Sequence, residues 1–192
     1  MDIYPNAIIV QTSTLGKGGV VSYAKIKRQL QNKCLEDRAA FVTTMFDLFR
    51  LPNDFPGTSE AAVIRNPLER ACRIEERMEQ DLQQENFIAN LIVHEFEGLL
   101  YSDPDSFADW FDDVAVQALH QQRNSCDSPE HINDGAETAP SKRIRKVCRA
   151  YDKPLHGAVI ALGIGLDRMR AECQHFDAWL TRLSKLSGVR NM

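Results

Sequence analysis

The sequence predicts an α/β fold, a mostly parallel sheet with helices on both faces followed by a helical C-terminal part. Three observations carry that expectation. Short apolar runs at Ala7–Gln11, Ala39–Phe46 and Phe87–Val93 alternate with stretches of helical spacing. The run FIANLIV (87–93) is almost continuously apolar, the pattern of a strand covered on both faces. From Asp103 onward the chain offers helical spacing and one polar stretch, with no further strand-like run. In open parallel sheets, functional groups gather where strands end.

AIIVQ (7–11) reads as a buried first strand, and TSTLGKGG (12–19) as a loop rich in turn residues. Ser22 is placed to cap a helix from Tyr23 to about Asp37, with Ile26 and Leu30 on one face. AAFVTTMF (39–46) has the β-branched and aromatic character of a second strand and ends at Asp47. A helical pattern runs from about Ser59 to Gln84 and restarts at Pro67, a residue suited to the first turn of a helix. The third strand, Phe87–Val93, runs into His94-Glu95-Phe96-Glu97. Asp103–Leu119 reads as one or two short helices, and Gln121–Ala139 as a mobile polar loop. Ser141–Tyr151, Gly157–Glu172 and His175–Leu186 read as C-terminal helices. The chain of 192 residues is long enough for one full core, so residues 1–192 are expected to form a single domain with its C-terminal helices in 140–187.

Composition narrows the class. With 43% hydrophobic and 26% charged residues the chain is globular in type, and a net charge of −4 means that nucleic-acid contact would need a local basic patch. Five cysteines form no Cys-x-x-Cys, which argues against a zinc knuckle or disulfide framework and for reduced thiols in the cytoplasm. Met1–Asn6 has neither the basic nor the apolar part of a secretory signal, and no apolar run has the length to span a bilayer.

The strongest chemical signal is Asp47 with Glu95 and Glu97, carboxylates at the ends of two predicted strands. If the third strand continues, Glu95 and Glu97 point to one face, and such hard oxygens suit Mg²⁺ or Mn²⁺. The alternative is a solvated turn at Glu95 and Glu97 and a loop cap at Asp47. His94-Glu95 is not a zincin motif, because the second histidine would fall at Gly98; a hydrogen-bonded structural role is expected for His94. Gly16-Lys17-Gly18-Gly19 departs from a nucleotide-binding phosphate loop, leaving a backbone anion site or a plain flexible loop. Lys142, Arg143, Arg145, Lys146, Arg149 and Lys153 line one side of a helix opposite Ile144, Val147, Cys148 and Tyr151. That row either contacts a phosphate backbone or is a solvated face.

The runs GGVVSYAKIKRQL, FVTTMFDLFRLPNDFPG, IVHEFEGLLYSDPDSF, ETAPSKRI, YDKPLHGAVIALGIGL and CQHFDAWL resemble the ordered landmarks of the domain of unknown function 4276 family. The resemblance implies a Toprim-like fold. It also implies a Mg²⁺- or Mn²⁺-dependent nuclease or phosphoryl-transfer activity, of the kind found beside ATPases in bacterial phage-defence loci. By the same resemblance, Asp47, Glu95 and Glu97 hold the metal and act in catalysis; on that hypothesis the basic helix face, through Lys142, Arg143 and Lys146, contacts phosphate or nucleic acid. Two departures stand out. Phe49 sits where a Toprim aspartate pair needs a second acid, and nothing upstream of Ala7 matches the family's strand and Val-Glu-Gly run. A chain without that glutamate is expected to bind metal weakly and to be weak or inactive as a nuclease. The competing expectation is a non-catalytic subunit that docks on an ATPase encoded nearby, or pairs with a second copy of itself.

Overall fold

Two short parallel ladders organise the N-terminal half. In the computed structural model, which describes residues 4–10, 22–132 and 138–186, β1 (Val42–Thr43) pairs with β3 (Phe87–Ile88), and β2 (Phe46–Asp47) with β4 (Leu91–Ile92), both parallel. Val42 lies opposite Phe87 and Phe46 opposite Leu91, so one register continues through both ladders. Between them the side chain of Thr44 takes over the pairing. Its Oγ1 donates to Asn90 O at 2.8 Å and accepts from Asn90 N at 2.9 Å. The strand expected over Ala39–Phe46 is therefore two short pieces, because a hydroxyl replaces the backbone at their junction. Residues 87–93 are all buried, as their almost continuously apolar run predicts.

The chain divides into two compact units, Met1–Ile92 and Val93–Met192. In the first, α1 (Tyr23–Glu36) buries Tyr23, Ile26, Leu30 and Cys34, a stripe at helical spacing. Ser22 occupies the cap position without a side-chain bond; Asp54 Oδ2 accepts from Tyr23 N instead, at 2.8 Å. The turn α2 (Thr58–Ala61) precedes α3 (Pro67–Leu82). The restart at Pro67 occurs as the sequence predicts, with Asn66 accepting from the N–H groups of Leu68 and Glu69. Glu75 and Glu79, one turn apart on α3, accept from Leu91 N at 2.6 Å and Ala89 N at 2.9 Å. Alternate N–H groups of one strand face the same edge, so these two carboxylates close the edge of β3 and β4 that no strand covers among the described residues.

The first expected strand does not form within the described residues. Residues 7–10 carry no regular structure, and Ile8 and Ile9 are 57% and 91% exposed; Gln11 and the glycine loop at 16–19 lie outside the described residues. An apolar run becomes a strand only where a backbone edge receives it. The β3–β4 edge is already satisfied by Glu75 and Glu79.

The second unit is built around a 3₁₀ helix, Phe96–Ser102, in which Glu97, Gly98, Leu99, Leu100, Tyr101 and Ser102 are all buried. Packed on it are α4 (Asp113–Asn124), α5 (Pro140–Val147), α6 (Lys153–Ile164), α7 (Leu166–Glu172) and a 3₁₀ turn, Pro129–His131. The last helix, α8 (Gln174–Lys185), packs on α7. Several expected boundaries shift. Gln121–Asn124 complete α4 rather than opening a loop, and Glu130, only 4% exposed, accepts from His175 N and Phe176 N at the start of α8. Residues 133–137 lie outside the described residues. The single helix expected over Gly157–Glu172 is broken at Gly165, whose φ of +74° is a left-handed value that glycine reaches without strain. All five cysteines are unbridged, and no helix among the described residues is long and apolar enough to cross a membrane.

Candidate functional site

His94 sets the geometry of the segment that carries the predicted carboxylates. Its φ of +73° is an uncommon left-handed value for a residue with a side chain, and it turns the chain sharply before Glu95. Glu95 is extended, with φ −141° and ψ 158°, and the 3₁₀ helix follows at once. The third strand thus does not continue, and alternation along a strand does not determine where Glu95 and Glu97 point. Their partners differ. Glu95 Oε2 accepts from Ser141 N at 3.1 Å, which ties it to the first turn of α5. Glu97 faces Lys153, at the first turn of α6, with Nζ 2.8 Å from Oε2.

The Glu97 carboxylate is fully buried, at 0% exposure. Neither of its oxygens accepts a hydrogen bond among the described residues, although the lysine ammonium is at contact distance. The ammonium therefore sits off the direction that a hydrogen bond requires, and the pairing is Coulombic. Tyr151 adds a second buried polar atom, since its hydroxyl has no hydrogen-bond partner among the described residues. Burial, and then the negative charge of Glu97, push its phenol well above the usual tyrosine range, so it stays a neutral O–H. Gly157 packs closely beside it: a Cβ there would stand 3.1 Å from Tyr151 Oη, a tight contact, and 3.7 Å from the Phe96 ring. The His156 ring lies among Tyr151, Phe111 and Trp110, with centroids 6.0, 5.2 and 5.7 Å away. Its Nδ1 accepts from Asp152 N at 2.9 Å, which assigns the proton of the neutral ring to Nε2.

The other buried glutamates show how this chain ordinarily accommodates a carboxylate. Glu75 accepts from one backbone N–H, Glu95 from one and Glu130 from two. Each closes a strand edge or a helix start, where unpaired donors need an acceptor. Glu97 has no such partner and keeps its acceptor capacity.

The remaining predicted residues divide. Lys142, Arg145, Lys146 and Arg149 are exposed on or just after α5, while Ile144 and Cys148 are buried beneath, as the spacing predicts. Arg143 is half-buried and donates from Nε to Thr138 O at 2.7 Å, which places it in the local framework of α5. Lys153 does not join the exposed row; it starts α6 and turns to Glu97. Asp47 ends β2 in the first unit, half-buried, and its side chain does not cap the 3₁₀ turn that follows at Leu48–Arg50. His94 is buried. Sequence reasoning missed the pairing of Lys153 with Glu97 and the place of Tyr151 beside it. The signal lay in the run YDKPLHG, where a tyrosine, a lysine and a glycine crowd a helix start, but nothing local to that run names its partner.

Among known families, residues 1–184 match the model described as "Domain of unknown function (DUF4276)". No curated protein and no solved structure matches the chain.

Proposed function

The chain belongs to the family described as domain of unknown function 4276, and from that premise and the state of Glu97 we propose that it is a divalent-metal-dependent protein acting on phosphodiester or phosphoryl groups. One observation carries the reading: Glu97 is a fully buried carboxylate whose oxygens accept no hydrogen bond among the described residues and whose charge is balanced by a cation. These are the properties of a hard oxygen ligand, and Mg²⁺ needs only one or two protein carboxylates because it retains waters and takes substrate phosphates. When bound, such an ion polarises a phosphoryl oxygen and activates water. Glu97 would hold it. Glu95 acts as a positioning residue, since its bond to Ser141 N anchors the start of α5 to the segment that carries Glu97. The exposed cations of α5, Lys142 and Lys146 among them, supply a basic face on a chain of net charge −4, as contact with a phosphate backbone requires. The test is cleavage of single- and double-stranded DNA and of RNA with Mg²⁺ or Mn²⁺. We expect weak metal-dependent cleavage that is lost in Glu97→Gln, a fall of about 100-fold or more being the scale of losing a charge-stabilising group. Cleavage that is unchanged in Glu97→Gln rejects the assignment.

A second reading, an interaction subunit, is favoured by the apolar outer face of α6, where Leu155 and Leu162 are 55% and 81% exposed. It predicts no cleavage by the wild-type chain. It also predicts self-association or partner capture that Leu162→Glu abolishes, measured by light scattering and by binding to an ATPase, the partner that the family resemblance implies.

A further inference from the structure

We propose that Lys153 is a displaceable counter-cation: a divalent metal reaches Glu97 only when the lysine ammonium leaves for solvent, so that Lys153 sets the metal affinity of the site. This rests on the metal-dependent reading above and adds to it how the site is controlled.

The first argument is exclusion. Lys153 Nζ is 2.8 Å from Glu97 Oε2, and a metal ion would sit about 2.0–2.6 Å from a carboxylate oxygen. Two cations crowded on one buried carboxylate repel strongly where water does not screen them. Occupancy is therefore one or the other. Among the described residues Glu97 has no hydrogen-bond donor to hold its charge once the ammonium has gone, so an empty carboxylate is the least favourable state.

The second argument is that Lys153 can leave. Its side chain is 41% exposed although its partner is wholly buried, so the stem already lies along a path to solvent. The helix it begins does not depend on the ammonium, because Asp152 Oδ1 accepts from Leu155 N at 2.9 Å and Pro154 occupies the first turn. A cation at a helix N-terminus also lies at the positive end of the backbone dipole, which disfavours it there. Lysine, unlike arginine, is a compact and strongly hydrated charge on a flexible stem, suited to returning to water.

The third argument is contrast. Glu75, Glu95 and Glu130 are buried too, and each accepts from backbone N–H groups that cannot leave without opening a strand edge or a helix start. At Glu97 the partner is instead a side chain that can rotate away.

The experiment is Mn²⁺ titration of the full chain by calorimetry and electron paramagnetic resonance, comparing wild type with Lys153→Gln, Lys153→Arg and Glu97→Gln. We expect Lys153→Gln to bind about tenfold more tightly than wild type, within the range by which residues around a metal tune its affinity. Lys153→Arg keeps the charge and should bind no more tightly than wild type, and Glu97→Gln should lose the site. Equal affinity in Lys153→Gln and wild type, with binding lost in Glu97→Gln, overturns the role of Lys153 and leaves the metal reading standing. Absence of Mn²⁺ binding in every folded variant overturns the metal reading and this inference together. A measurement on the wild-type chain covers the case in which Lys153→Gln does not fold. Acetylation of Lys153, mapped by mass spectrometry, should rise several-fold at saturating Mn²⁺ while that of Lys146 stays constant. An unchanged Lys153 rate at saturation overturns the proposal.

Discussion

In residues 1–92 the buried carboxylate of Glu75, with Glu79 one turn along α3, accepts from the backbone of the segment that carries β3 and β4; in residues 93–192 the buried carboxylate of Glu97 faces, among the described residues, a lysine and no hydrogen-bond donor. The two groups share a residue type and near-complete burial, yet they do opposite work. Glu75 accepts from the backbone of β4 and is part of how the sheet edge is closed. Glu97 holds a charge inside the protein and closes nothing. Burial of an acid is thus a poor marker of function by itself, and the identity of its partner is the better one. The second unit contains the same contrast at shorter range, since Glu95 and Glu130 both cap helix starts and Glu97 does not.

The comparison breaks most visibly at the lysine. Lys153→Met leaves the Glu97 carboxylate buried without a counter-charge, and we expect a loss of about 3 kcal/mol in metal-free urea unfolding, the low end for a broken buried pair. Saturating Mn²⁺ should recover much of that loss. Glu130→Ala comes next: it strips the acceptor from His175 N and Phe176 N and should cost about 2–3 kcal/mol, with no change in metal affinity. Glu75→Ala removes one acceptor, that of Leu91 N, and should cost about 1–2 kcal/mol, again without effect on metal. The smallest effects belong to groups that accept or donate no hydrogen bond among the described residues. Tyr151→Phe deletes a buried hydroxyl that makes no hydrogen bond among the described residues, and unfolding should shift by less than about 1 kcal/mol in either direction. Glu97→Gln removes the buried charge while Lys153 turns to water. Its metal-free stability should likewise stay within about 1 kcal/mol of wild type even as metal binding disappears. If Glu97→Gln destabilises as much as Glu130→Ala, Glu97 belongs with the structural acids and the contrast fails.

Much of the fold was legible because it depends on local spacing. Ile26 and Leu30 on one face gave α1, Pro67 marked the start of α3, and the almost continuously apolar run 87–93 announced burial on both faces. The exposed basic face of α5 over buried Ile144 and Cys148 followed from the same periodicity. The errors also have local causes. Residues 7–10 have strand composition, but a strand needs an edge to receive it, and Glu75 and Glu79 already satisfy that of β3 and β4. HEFEG looked like the continuation of a strand, but the left-handed turn at His94 and the 3₁₀ helix after it place Glu97 in the core of the second unit.

By itself, then, the sequence determined the parallel α/β class, most helix starts, the family and the short segment in which the candidate acids lie. It did so because propensity, periodicity and capping act over a few residues. Which of those acids holds a charge without backbone donors was decided only by tertiary structure. Glu95 takes Ser141 N from 46 residues away, and Glu130 takes His175 N from 45, so these partners come from segments that local pattern does not connect. Lys153 likewise reads as one more cation of a basic stretch until folding brings its ammonium against Glu97. Burial and counter-charge are properties of the packed chain, since both depend on which distant groups displace water from around a carboxylate.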